Sequence, residues 1–262
     1  MGEYCQACGE RRLDPERDHS LRWLLGQLVD GLLQLDAKVL RTYRALLVRP
    51  GSLTRDHLEG RRVRTVMPFQ LFLLTGLVFY LCFSHAYAAP VAALADARAR
   101  GVWFGNILQY DIRGAIAAKA AATGQTADVL AMRVFDRAGQ ESKIFLGALV
   151  PVQALALWLL HRRHEPRFVP HLIAALHLFT VFLVFDLVFL WVWRLLGHRT
   201  ITDTMFLPLV VTYAVHVFVG LRRIHGGGLL ATGVRTLAFL AVFLAAILAY
   251  RQVITIVAVR LV

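Results

Sequence analysis

Leu172 to Leu196 reads LIAALHLFTVFLVFDLVFLWVWRLL, an almost unbroken apolar run. About 20 consecutive apolar residues are enough for a helix to cross the hydrocarbon core of a bilayer. Inside lipid every backbone N–H and C=O must be satisfied within the protein, so a single run of this kind has to be helical. The run holds His177 and Asp186 in its interior and His171 at its entrance. Ionisable groups at such depth are expensive to bury and persist with a partner or a purpose.

Four further apolar stretches accompany it: Val66 to Tyr87, Ile144 to Leu160, about Met205 to Leu221, and about Thr236 to Ile256. The expected fold is therefore all-α, a polytopic membrane protein with five transmembrane helices. A composition that is 58% hydrophobic over 262 residues agrees with it. Three segments are expected: 1–19 as a knuckle, 20–65 as a cytoplasmic amphipathic helix with a basic collar, and 66–262 as the membrane domain. No signal peptide opens the chain, so the first span is expected to stay as an uncleaved anchor.

The formal net charge of +12 raises nucleic acid as a partner. The arginines, however, sit mostly at the ends of apolar runs. That placement points to topology and anionic lipid headgroups, and nucleic acid is excluded from the expected partners. Arg162, Arg163, Arg167, Arg222, Arg223 and Arg235 fall on the side of the basic N-terminal region, against Arg194 and Arg199 on the opposite short connector. Short cytoplasmic connectors carry the excess of Lys and Arg. The N-terminus is then inside, the C-terminus outside, and the chain a multi-pass protein of the inner (cytoplasmic) membrane.

Between the first two spans lies an insert, 90–142, punctuated by Gly101, Gly105, Gly114, Gly124 and Gly139. Thr126 can cap a helix with the stripe Leu130, Ala131, Val134, Phe135 and Ala138. The insert is too short for a large core of its own, and is expected to be helical, extracytoplasmic and packed on the membrane domain. Residues 20–48 repeat Leu21, Leu24, Leu25, Leu28, Leu32, Leu35, Val39, Tyr43 and Leu46 at helical spacing. This amphipathic helix either lies on the inner membrane surface or packs against the protein's own cytoplasmic ends. Pro50-Gly51 ends it.

Near the N-terminus, Cys5 and Cys8 form a CxxC knuckle followed by Gly9. Two thiolates at this spacing can grip Zn²⁺, but a structural site takes four ligands. Zinc is thus a cofactor only if further ligands are supplied. The alternatives are half of a zinc ribbon and two free thiols. The tail could also dock a protein partner.

Five motifs occur in order: YCQACGE at 4–10, LRTYRALLVRPG at 40–51, LEGRRVRTVMP at 58–68, KIFLGALVPVQALALWLL at 143–160, and HLIAALHLF at 171–179. Together they resemble an uncharacterised bacterial membrane family, domain of unknown function 3667. The resemblance implies a zinc-ribbon-tailed polytopic architecture in a bacterial inner membrane, and it implies no activity.

Depth arithmetic places the polar groups. With a rise of about 1.5 Å per residue, His177 and His216 both lie roughly 8 Å below the inner boundary on antiparallel spans. Thr212 and Tyr213 lie about a turn deeper, and His171 at the entrance. These five residues are the candidate lining of a polar pocket. The alternative is a pair of neutral imidazoles bonded to each other or to backbone. Asp186 and Arg251 fall at nearly the same depth on two spans and are expected to form an interhelical ion pair that fixes register; the alternative is that Arg251 snorkels outward. No nucleophile–base–acid set and no metalloprotease spacing is present, so no catalytic residue is assigned. The chain reads as a binding or scaffold protein of the cell envelope, alternatively a transporter or lipid-handling protein. A membrane enzyme acting on lipid or phosphate groups ranks behind both.

Overall fold

The computed structural model describes residues 37–61, 65–86, 112–134, 137, 146–197 and 203–262, with no side-chain description at 83–86, 112–113, 203–206, 251 and 255. Cys5, Cys8 and the first part of the expected amphipathic helix lie outside the described residues, as do large parts of the insert.

Every described element is helical. Helix α1 covers 37–48 and α2 is Ser52–Leu58; α3 is Pro68–Ala86. From the insert come α4, Ile112–Thr123, and α5, 127–134. The body is completed by α6, Leu149–His161, α7, Phe168–Leu195, α8, Asp203–His225, and α9, Leu229–Leu261. Three stretches, Phe168–Leu195, Leu207–His225 and Leu229–Leu261, are long and apolar enough to cross a membrane. The apolar helices Pro68–Cys82 and Leu146–His161 are shorter. Of the five expected spans, three thus reach spanning length among the described residues.

Helix α7 is central, packing against α3, α6 and α8, while α9 packs against α6 and α8. Phe179 is fully buried, with ring centroids 5.9 Å from Phe72, 5.9 Å from Phe182 and 6.1 Å from Phe243. These aromatic contacts tie α3, α7 and α9 together. In lipid, helices associate by packing of this kind rather than by escape from water. Pro68 opens α3 at the first helical position, where its missing N–H leaves nothing unpaired.

Two short connectors gather four helix ends. Between α6 and α7, His161 accepts backbone bonds from His164 and Glu165 at 2.8 and 3.0 Å, and Trp158 Nε1 donates to the Pro166 carbonyl at 2.8 Å. Between α8 and α9, Gly226 and Gly227 adopt φ of 67° and 102°, a left-handed turn that side chains would resist. The ends of α6 and α8 and the starts of α7 and α9 therefore meet, and this end of the bundle carries the arginines of both connectors.

Helix α1, the described part of the segment expected to be amphipathic, is packed against the chain's own helices. Thr42 is fully buried; its Oγ1 donates to the Lys38 carbonyl at 2.6 Å and accepts from the Val66 N–H at 3.0 Å. Thr75 Oγ1 donates to the Leu71 carbonyl at 2.7 Å, so the Tyr43 hydroxyl, 2.6 Å away, is the donor to Thr75. Leu46 and Leu53 join the same core as Phe179 and Leu157. At the opposite end of the bundle, α4 and α5 pack Ile116, Ala120, Leu130 and Val134 against Ala258 and Val259 of α9. Lys119 Nζ donates to the Val259 carbonyl at 2.7 Å.

Candidate functional site

The gathered helix ends bring three histidines together. His161 closes α6, His171 sits in the first turn of α7, and His225 closes α8. The rings of His161 and His225 stack with centroids 3.9 Å apart and planes 16° from parallel. His171 lies 5.7 Å from His225 and 6.2 Å from His161, also stacked. His161 Nδ1–H donates to the Leu157 carbonyl at 3.0 Å and His171 Nε2–H donates to the Glu165 carbonyl at 3.0 Å. Those bonds fix the tautomers and leave His171 Nδ1 as a buried lone pair with no protein partner. His225 Nε2 is likewise buried and unpartnered. Near-parallel rings cannot aim their in-plane nitrogens at one ion. Among the described residues no group of three or more His, Cys, Asp or Glu side chains is arranged to hold a metal.

His225 also forms a wall of an open basin of about 470 Å³, with Arg55, Leu58, Glu59, Arg223, Ile224 and Gly226. Arg55 Nε donates to Glu59 at 2.7 Å, and Arg223 Nη1 donates to the Pro50 carbonyl at 2.7 Å. The hydrogen bond from Arg55, with the nearby charge of Arg61, holds the Glu59 carboxyl below the usual range, so it is ionised at neutral pH. One carboxylate against two guanidinium groups leaves the basin cationic.

A second cluster lies under α2. His177 Nδ1 and Thr54 Oγ1 share a hydrogen bond of 2.9 Å, and the His57 ring stands edge-on to His177 with centroids 6.5 Å apart. All three are buried. Gly51, with φ of 75°, sets the path of α2 by running directly against Gly220 of α8.

The expected pocket residues separate on this geometry. His177 and His216 are both buried on packed neighbouring helices, but they do not meet. His177 turns to Thr54 and His57, while His216 stands edge-on to Phe185 at 5.5 Å. Among the described residues no hydrogen bond or ring contact joins the two imidazoles. Tyr213 is buried with its hydroxyl unpartnered, against Phe182 at 5.5 Å and Phe243 at 5.8 Å. Thr212, the next residue along the helix, is exposed on α8 and lines no interior pocket. His171 belongs with His161 and His225 instead. Asp186 is half-buried on α7, and the side chain of Arg251 lies outside the described residues.

Sequence reasoning passed over His161, His225 and His57. The first two sit beside Arg162-Arg163 and Arg222-Arg223, and those arginine pairs were informative enough as topology signals to mask the histidines next to them. Their signal was positional: each closes an apolar run at the same end of the bundle.

Fold and site define a class: an all-helical protein with helices able to span a membrane, and a polar, histidine-rich cluster where those helices end. Residues 36–80 match a family model described as protein of unknown function (DUF3667), so the resemblance seen in the motifs holds over α1, α2 and most of α3. No curated protein and no solved structure matches the chain.

Proposed function

We propose that the protein is a multi-pass binding or scaffold protein of the bacterial inner membrane, which takes an anionic, phosphate-type group of its partner into the basin of Arg55, Arg223 and His225. The observation that carries the reading is a basin of about 470 Å³ that sets the guanidinium groups of Arg55 and Arg223 against a single carboxylate, Glu59. Guanidinium groups match the oxygens of phosphate, and a neutral imidazole beside them can add a ring N–H donor. The basin sits at the arginine-rich end of the bundle, which the charge rule assigns to the cytoplasm.

The test is thermal melting of the full chain in neutral detergent with inorganic pyrophosphate, against chloride at equal ionic strength. Pyrophosphate is expected to raise the midpoint, and Arg55→Gln to remove most of the rise. Arg55 is suited to this because its side chain is largely exposed and, among the described residues, bonds only to Glu59. An equal rise in both proteins would overturn the basin as the binding site.

With five spans and the N-terminus inside, a reporter fused after Val262 lies outside. Alkaline phosphatase fused there is expected to be active in cells and a green fluorescent protein dark; the reverse pattern would refute the orientation.

A transport or lipid-handling role is the second reading. It is favoured by buried polar atoms that have no protein partner among the described residues, on three helices: Gln153 Nε2 and Oε1 on α6, His177 Nε2 on α7 and Thr236 Oγ1 on α9. Buried polar groups inside a helical membrane body commonly mark a path for ions or substrate.

A further inference from the structure

Between α6 and α9 runs a groove of about 250 Å³ lined by Val152, Leu155, Ala156, Leu159, Leu160, Ala238 and Val242. Every lining residue is apolar. The floor is low because Ala156 and Ala238 are small where neighbouring positions carry Leu and Val. The groove lies on the outside of the bundle: Leu155 and Leu159 are each about half exposed. It follows the two helices along their length toward the end where α6 closes and α9 begins.

The mouth of the groove is cationic. Arg235, Ala238 and Val242 follow one another at i, i+3 and i+7 on α9, so they share a face, with Arg235 nearest the helix start. Arg235 Nη2 reaches His164 Nε2 in the α6–α7 connector at 3.5 Å. That contact spans the gap between the two helices at the groove's end. Arg162 stands over the Trp158 ring at 5.9 Å, and Arg163 is exposed beside it. The carboxylate of this connector, Glu165, is engaged by Arg167 at 2.8 Å. Among the described residues, Arg235 and Arg163 have no carboxylate partner.

We infer that the groove between α6 and α9 is a seat for one anionic phospholipid, an acyl chain lying along Ala156 and Ala238 and the phosphate held by Arg235 and His164. The two halves of the site support one another. An apolar furrow on a membrane-facing surface accepts hydrocarbon, and its cationic end sits where α6 closes and α9 opens, at the level of the headgroups. Tryptophan belongs at that level too, and Trp158 marks it here. Basic pockets between helices at this interface hold anionic headgroups through guanidinium contacts. The inference goes beyond the basin of Arg55 and Arg223, which has no apolar furrow.

The experiment is native mass spectrometry of the full chain in neutral detergent, with phosphatidylglycerol and phosphatidylcholine of identical acyl chains added at equal concentration. One phosphatidylglycerol is expected to remain bound in preference to phosphatidylcholine. Arg235→Gln should reduce that preference about tenfold, the size of one charge-assisted contact. Ala238→Leu fills the furrow and should lower the occupancy of both lipids together. Arg55→Gln should leave both unchanged, so failure of the basin and failure of the groove are read separately. Equal retention of the two lipids by the unaltered protein would overturn the anionic seat. So would an unchanged preference in Arg235→Gln with the protein still folded. Loss of a dimer in Ala238→Leu, with lipid retention unaltered, would show that a second copy of the chain occupies the groove instead.

Discussion

Gly51→Ala lowers the stability of the protein by about 2–5 kcal/mol, and Gly220→Ala changes it far less. The asymmetry follows from the contact the two glycines make. Gly51 holds φ of 75°, where an L side chain costs roughly 1–2 kcal/mol. A Cβ there would also come within 2.6 Å of the Gly220 carbonyl oxygen and 2.9 Å of its Cα. Both are backbone atoms of α8, so neither can rotate away. Relief requires α2 to move off α8, with further strain of about 1–3 kcal/mol. A Cβ on Gly220 meets the Gly51 nitrogen at 3.5 Å, an ordinary van der Waals distance. Thermal melting of the two variants in the same detergent checks this. Equal midpoints would show that the close approach of α2 to α8 is not maintained in solution.

Thr54→Val is expected to cost about 1–3 kcal/mol, more than the value of the hydrogen bond itself. The substitution keeps the shape of the side chain and removes the group that bonds His177 Nδ1 at 2.9 Å. His177 Nε2 is already without a protein partner, so the variant leaves both ring nitrogens buried and unsatisfied. Replacing both partners removes the stranded group along with the bond. The double variant Thr54→Val, His177→Leu should therefore be destabilised less than the two single effects summed. Additive losses would mean that α2 is not fastened to α7 through this pair.

The part of the fold that was legible in the sequence is the part that periodicity and length decide. The run from Leu172 to Leu196 could only be a helix, and α7 contains nearly all of it. Pro50-Gly51 marks the break between α1 and α2, and the connectors rich in arginine meet at one end. Direction around the helix axis was less legible. His177 and His216 were matched by depth alone, and a pair also needs facing side chains. Thr212 and Tyr213 make the same point, since adjacent residues differ by about 100° around the axis and only Tyr213 turns inward. The histidine stack was illegible for a further reason. It is assembled from His161, His171 and His225, far apart in sequence, by two turns whose geometry depends on the packing of four helices. The placement of α1 was open because a stripe of Leu, Val and Tyr serves equally to lie on lipid or on protein. Thr42 and Tyr43 decide it through bonds to Val66 and Thr75, which no periodicity predicts.

On the proposed topology, the length of α9 sets the height of the insert: with Thr236 placed at the inner boundary, Ala258 falls about 33 Å along the helix, just past a hydrocarbon core of about 30 Å. The core of α4 and α5 closes around Ala258 and Val259, and Lys119 caps the backbone there. On that topology, helices α4 and α5 are moored among the outer headgroups rather than held out on an arm, and a molecule that engages this part of the insert comes down to the membrane surface to do so.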